Sequence, residues 1–321
     1  MIGRKGKLII LLYVIFLAVL FLMCSTDLII REPEKEIYQI AVIIEDVRDD
    51  NYGNFKKGMD QAALELNADV RFITLYEKLD ASQQLELIER EQQDGTDALI
   101  VVPTDEERIV RGLAERQAAA PVVLLGSGLA GEGVTAAISP DYEKMGECLA
   151  EKMTERMEEK DKVVFLSSPE AQSAMSRRFL EGAKKALSER GCGFLVMDRE
   201  RQGLLETLEN QAGNKAVIAA ESPEILAETA AFLGENPSCR EYVRGLYGRG
   251  STLSILNYLD KEIITGICVA DEFSMGYFSV CTAVQALEGS GRPVSGEMDF
   301  HYIEKEDLRD PAYEKMLYPI E

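Results

Sequence analysis

From Tyr38 onward, short apolar runs alternate with segments whose apolar residues recur every three or four positions. The first pattern predicts strands and the second amphipathic helices. Strands are expected at Ile40–Ile44, Val70–Leu75, Ala98–Val102, Val122–Leu125, Ala136–Ser139, Val163–Leu166, Phe194–Met197, Ala216–Ala219, Val243–Tyr247 and Ile264–Val269. Helices are expected at Asn54–Leu66, Ala81–Gln93, Glu106–Ala119, Tyr142–Glu158, Ser173–Arg190, Glu224–Leu233, Thr252–Leu259 and Ser274–Glu288. In the first of them Phe55, Met59, Ala62, Ala63 and Leu66 share a face, while Lys56, Lys57, Asp60 and Glu65 point to water. Asp80 with Gln83 reads as a capping box for the second, whose Leu85 and Ile88 turn inward. Strands alternating with helices predict a parallel sheet covered on both faces. Ten strands are too many for one small sheet, so two doubly wound α/β lobes are expected.

The first residues follow another pattern. "MIGRKGK" is basic, and Leu8 to Cys24 is an unbroken apolar run, which fits a secretory signal or a short membrane helix. Small residues near its end are confined to Cys24, Ser25 and Thr26, and the bulky Met23 precedes Cys24. Retention as a single-pass membrane anchor is therefore expected, with cleavage or lipidation of Cys24 as the alternatives. Arg4, Lys5 and Lys7 then stay cytoplasmic, and the chain after Asp27 lies outside. The linker "DLIIREPEKE" reaches about 35 Å at full extension, so the folded part is expected to stay close to the membrane.

Charge and rare residues narrow the chemistry. Lys+Arg 35 against Asp+Glu 56 gives a net charge of −21, which repels a phosphate backbone and argues against a nucleic-acid partner. The six cysteines stand apart with no C-x-x-C spacing, so neither zinc nor a redox pair is indicated and most are expected to be small buried hydrophobes. The single histidine, His301, lies in the strand-like "DFHYI" without a nucleophile motif. A structural role is expected for it.

Candidate ligand groups cluster at strand ends, where doubly wound sheets bind ligands. The loop Glu45 to Asn54 offers Asn51 and Tyr52, an aromatic face among hydrogen-bonding groups, suited to a polar ligand with an apolar ring face. "GSGLAG", Gly126 to Gly131, matches a dinucleotide fingerprint but leads into another strand, so no cofactor is expected. "YGRGST", Tyr247 to Thr252, presents backbone N–H groups and Arg249 to an anion, or is simply a glycine turn. Arg177 and Arg178 follow a polar loop and can fork onto hydroxyl or carboxylate groups. Asp271 and Glu272 precede a helix. They can accept hydrogen bonds from sugar hydroxyls or act as a glycosidase pair.

The collinear stretches "IAVII…NFKKGMDQAALEL", "DALIVVPTD", "VVLLGS", "RRFLEGAKKAL", "AVIAAES", "GLYGRG", "ITGICVADEFSMGYFSVCTAVQALEG" and "EMDFHYIEKEDL…MLYPIE" resemble the type I periplasmic sugar-binding proteins. These are relatives of ribose-binding protein and of the ligand-sensing part of lac-repressor-type regulators. The resemblance covers Tyr38 to Glu321 and implies two similar lobes, joined by three crossovers, that close on a small ligand. With residues 1–37 set aside as cytoplasmic tip, anchor (8–24) and linker, it implies 38–138 plus 272–293 as the first lobe and 139–271 plus 294–321 as the second.

Carried over by residue, the resemblance makes Tyr52 the ring-stacking aromatic and Arg177 or Arg178 the hydroxyl-binding arginine. Glu221 stands where the family has Asn or Asp, and Asp105 ends "P-T-D". Three positions depart from the pattern. Gly126 and Ser127 replace an aspartate, Leu246 to Gly248 reads "LYG" for "G-F-D", and Ala270 replaces a glutamine beside Asp271. Ser127, Tyr247, Arg249, Asp271 and Glu272 thus complete the expected pocket. The implied role is an extracytoplasmic solute-binding protein for a small polar ligand, a sugar above all. It would serve an ABC importer or a membrane sensor histidine kinase. A glycoside-processing enzyme is the alternative.

Overall fold

The computed structural model describes residues 4–25, 37–116, 120–129, 131–168, 173–198, 215–290 and 296–319. The chain divides into two units, Met1–Ile37 and Tyr38–Glu321. Among its described residues the first contains one helix, α1 (Arg4–Ser25). Its segment Gly6–Met23 has a mean hydropathy of 2.7, long and apolar enough to cross a membrane.

The second unit contains two six-stranded sheets. In the first, β1 (Tyr38–Ile43) lies between β2 (Ala68–Ile73) and β3 (Ala98–Val101), followed outward by β4 (Val122–Leu125), β5 (Ala136–Pro140) and β11 (Gly296–Met298). Every pairing in it is parallel. In the second, β6 (Lys162–Ser167) lies between β7 (Phe194–Asp198) and β8 (Ala216–Ala220), followed by β9 (Val243–Arg249), β10 (Gly266–Ala270) and the antiparallel edge strand β12 (Phe300–Ile303). The two orders are the same permutation. In each, the strand order reverses beside the lobe's first strand, which opens a crevice at its carboxyl end.

Helices cover both faces: α2 (Gly53–Leu66), α3 (Ala81–Gln93), α4 (Glu106–Arg116), α5 (Tyr142–Glu155), α6 (Ala174–Glu189), α7 (Pro223–Glu235), α8 (Leu253–Asp260), α9 (Glu272–Glu288) and α10 (Pro311–Leu317). Residues Ile40 to Ile44, Leu99 to Val101 and Val217 to Ala220 are fully buried, as expected of strands covered on both sides. Two glycine crossings set the helix spacing. A Cβ on Gly58 of α2 would clash with the Phe273 carbonyl, and one on Gly276 of α9 with the Phe55 carbonyl. In the other lobe Gly146 of α5 and Gly182 of α6 meet the carbonyls of Phe179 and Glu143 in the same way.

Several elements differ from their sequence patterns. α4 ends at Arg116 and α5 at Glu155, and residues 117–119 lie outside the described part. Asp80 caps α3 through the N–H groups of Ser82 and Gln83, but the Gln83 side chain accepts from the Tyr76 N–H rather than returning to the cap. Of the described cysteines only Cys268 is fully buried, because the others sit on helix flanks and loops. Ala130, within "GSGLAG", lies outside the described residues, and the segment after it feeds β5.

The lobe boundaries also shift. β5 runs to Pro140, and β11 pairs with β5, so residues 296–298 belong to the first sheet although they were expected in the second lobe. The chain therefore changes lobe at Asp141, Asp271 and Asp299. Asp141 and Asp271 cap α5 and α9, and the Asp271 N–H reaches the Asp299 carbonyl at 3.4 Å.

Candidate functional site

The carboxyl ends of β1, β6, β8 and β9 face one another across a cleft between the lobes. An inner chamber of about 90 Å³ is walled by Tyr52, Phe55, Tyr142, Met175 and Met275, with Glu45, Asp46, Arg249 and Glu272 as its charged groups. A polar recess of about 100 Å³ adjoins it beside Ser173, Ser176 and Glu221. Toward solvent a groove of about 720 Å³ shares Asp46, Asn51 and Glu272 with the chamber and adds Leu253 and Tyr318 at its rim. Chamber and recess share Glu45, Asp46 and Arg249. The three spaces form one cleft.

Glu45 follows β1 and is 8% exposed. Its Oε2 accepts from the Tyr52 hydroxyl at 2.6 Å. Burial raises the Glu45 carboxyl above its usual range against the pull of that hydroxyl, and burial beside Glu45 holds the Tyr52 phenol well above its own. The Tyr52 ring meets Phe55 edge-on at 6.0 Å and Phe72 at 5.6 Å. Tyr52 therefore walls the chamber with its ring braced by protein neighbours, a more fixed arrangement than a free stacking platform.

Arg249, at the end of β9, donates from Nε to the Glu221 carbonyl at 3.1 Å and from Nη2 to Ser176 Oγ at 3.0 Å. Its guanidinium lies 5.3 Å from the Tyr142 ring centroid, an attraction worth about 1 kcal/mol in a partly dry site. Gly250 beside it has φ +107, a conformation that favours glycine. Glu221 is 1% exposed and accepts from Ser167 Oγ at 2.7 Å and the Ser168 N–H at 2.8 Å. Its carboxylate is held in place and fixes the loop that Arg249 grips.

Glu272 opens α9 and makes no hydrogen bond or ion pair among the described residues. Burial pushes its carboxyl up to about 7, while Arg249 pulls it down and Asp271 adds a small push. Asp271 uses both carboxylate oxygens on Ser274, accepting from its N–H at 2.9 Å and its hydroxyl at 2.6 Å. The two adjacent carboxylates do not face a common substrate, since Asp271 serves the helix cap and the crossover.

Bonds between the lobes close the cleft. Lys78 Nζ lies 2.9 Å from Asp46 Oδ2 in its own lobe and 2.6 Å from Glu224 Oε2 in the other. Leu79 takes a left-handed φ of +61 with its N–H on the Glu45 carbonyl at 2.9 Å, which aims Lys78 across the gap. Arg178 reaches Glu106 Oε2 at 2.7 Å, Asn54 reaches Ser251 Oγ at 3.4 Å, and Lys57 donates to the Pro319 carbonyl at 3.0 Å.

Of the residues expected from sequence, Asn51, Tyr52, Glu221, Arg249 and Glu272 lie at the cleft, and Arg178 joins the lobes beside it. The others do not. Asp105 is exposed and accepts from the Arg108 N–H at the start of α4. Ser127 is fully buried and accepts from the Leu129 N–H. Arg177 is exposed, one helical step away from the face that Arg178 presents to Glu106. Tyr247 is fully buried. It shares a strand face with Arg249 but sits two residues, about 6.6 Å, deeper along β9, in the core rather than at the mouth. The sequence pattern did not single out Glu45, Asp46, Lys78, Tyr142, Ser176 or Glu224. For Glu45 and Asp46 the signal was their place directly after an apolar strand.

A family model for the periplasmic binding protein domain matches residues 40–291. Among solved structures, an ABC transporter solute-binding protein from Agrobacterium vitis bound with alpha-D-tagatopyranose is 18% identical, covering 88% of this chain and 100% of its own, with a TM-score of 0.74. A second from Agrobacterium vitis, with bound D-fucose, is 16% identical over 87% of this chain and 100% of its own, with a TM-score of 0.76. A glucose-galactose binding protein from Geobacillus stearothermophilus is 19% identical over 86% and 100%, with a TM-score of 0.73. No curated protein matches the chain.

Proposed function

Because the chain belongs to the periplasmic binding protein domain family, we propose that it is an extracytoplasmic solute-binding protein that closes its two lobes on a sugar or sugar-like polar ligand and does no chemistry on it. The observation that carries this reading is the cleft itself. Apolar ring-sized walls from Tyr52, Phe55 and Tyr142 are combined with a few convergent polar groups, Glu45, Arg249 and Glu272, a composition suited to a hydroxylated ring. The sugars named with the solved relatives support the same ligand class. Closure works by differential binding: groups from both lobes reach a ligand together only when the cleft shuts.

In this proposal the closed pair of lobes is handed to a partner in the same membrane. Delivery to an ABC permease is the first reading, in line with the relatives named as ABC transporter proteins. Reporting ligand occupancy to a sensor histidine kinase is the second. It is favoured by α1, whose apolar length suits an anchor, together with the short linker, since tethering raises the effective concentration beside one fixed partner.

The test is thermal stability and hydrogen exchange of the full-length chain in detergent against pentoses, hexoses, oligosaccharides and sugar acids. Binding raises the melting temperature by mass action. The expected result is a rise with at least one sugar, with slowed exchange in residues 45–54 and 249–254. A flat response across the panel overturns the proposal. Co-purification from membranes with permease or kinase subunits separates the two roles.

A further inference from the structure

Resting on the cleft described above as the ligand site, we infer that its ligand carries a protonated amine beside its hydroxyl groups, as an amino sugar does. Glu45, Asp46 and Glu272 wall one chamber whose only cation among the described residues is Arg249. Arg249 is held in place, with Nε on the Glu221 carbonyl, Nη2 on Ser176 Oγ and its guanidinium 5.3 Å from the Tyr142 ring centroid, and its single charge serves both glutamates. Outside the chamber, Lys78 is held by Asp46 and Glu224, Lys57 by the Pro319 carbonyl, and Arg48 lies on the exposed groove wall 3.8 Å from both Asp50 and Glu224. Glu45 has the Tyr52 hydroxyl, whereas Glu272 has no partner among the described residues.

Closing the lobes removes water from the chamber and sets one cation, Arg249, against two carboxylates, Glu45 and Glu272, and the carboxylate left short of charge in such a place is costly. A ligand ammonium supplies both the charge and three donors. A neutral hydroxyl supplies one donor and leaves the charge. Glu272 lies where chamber and outer groove meet, so the amine sits at the edge of the bound ring, with its remaining hydroxyls toward Arg249 and Glu45. Burial holds the Glu272 carboxyl above its usual range despite Arg249, as expected of a carboxylate short of counter-charge.

The experiment is calorimetric titration of the full-length chain in detergent at pH 7.5. The probes are D-glucosamine, D-galactosamine and D-mannosamine, each beside glucose, galactose and mannose, with putrescine as an amine lacking the ring. The expected result is at least tenfold tighter binding of one amino sugar than of its neutral partner. Glu272→Gln should erase that preference, bringing the amino sugar's affinity to that of its neutral partner, and its unliganded melting temperature should not fall. Glu45→Gln gives a second reading on the same chamber. Equal or tighter binding of the neutral partner overturns the amine but leaves the sugar-binding proposal standing. Binding of putrescine without any sugar supports the amine and overturns the sugar. Silence from every probe overturns both.

Discussion

Replacing Lys78 by methionine removes one of the cations that tie the lobes together at the cleft. Its Nζ bridges Asp46 at 2.9 Å and Glu224 at 2.6 Å, and only the second contact crosses between lobes. The side chains of Lys78 and Glu224 are 34% and 22% exposed, so the pair is well formed but partly solvated, and about 1 kcal/mol is a fair value for its loss. That reduces the ratio of closed to open ligand-bound molecules about fivefold, and affinity falls with it because binding and closure are linked. Lys185 supplies the control. It pairs with Glu143 at 3.1 Å and Glu147 at 2.8 Å, entirely within the second lobe. Calorimetry on Lys78→Met with whichever sugar stabilises the wild type should give about fivefold weaker binding, and Lys185→Met should change it by less than twofold. Glu224→Gln should weaken binding similarly, and the double variant should add little, as expected for residues acting as a pair. If Lys78→Met binds as well as wild type, or if Lys185→Met loses as much, the bridge is not a latch and closure does not depend on it.

Other consequences can be checked independently. Gly58→Ala and Gly182→Ala place a Cβ against a backbone carbonyl of the crossing helix, and each should cost about 2 kcal/mol or more, read as a fall of several degrees in melting temperature. Tyr52→Phe removes the hydroxyl from Glu45 Oε2. It should weaken sugar binding several-fold with the fold intact by circular dichroism, since a buried carboxylate loses its donor. The Glu272 carboxyl, faced by Arg249 and Asp271, is pushed from its ordinary range up to about 7. The folded protein therefore holds this proton where the unfolded chain has lost it, so its contribution to stability falls as pH rises between about 4.5 and 7. Glu272→Gln should accordingly gain on wild type across that window in denaturant melts, by at most about 3 kcal/mol, and a constant difference from pH 4 to 8 would contradict it.

The fully buried strands were the most legible part of the sequence. β4 and α3 carry the bounds that the apolar pattern gives, Val122–Leu125 and Ala81–Gln93, because burial on one or both faces leaves an unbroken or periodic apolar signal. β11, with the sequence "GEM", is an edge strand whose residues are exposed or half-buried, so nothing in its composition marks it and the third crossover was expected before it. Within the site, strand-end positions were visible but orientation was not. Arg177 and Arg178 are equivalent in sequence until the α6 phase decides that Arg178 faces Glu106. Tyr142 looks like an ordinary helix residue, and it reaches the chamber only because the chain changes lobe immediately before it. Lys78 was invisible because its direction comes from the left-handed backbone of Leu79.

The placement of α9 and β11 bears on how the molecule can be made. Both belong to the first lobe, yet their residues, 272–288 and 296–298, come after the whole second sheet up to β10 has been synthesised. A nascent chain that has reached β10 holds β1 to β5 without the helix that packs against α2 and without the last strand of their sheet, so Phe55, Met59 and Ile100 lack their cover. The usual order, in which an amino-terminal domain folds while the rest is still being made, is therefore expected to fail for this protein. Both lobes must reach their final form together, after the last fifty residues have emerged, and a chain truncated near Asp271 should be recovered as aggregate rather than as a folded first lobe.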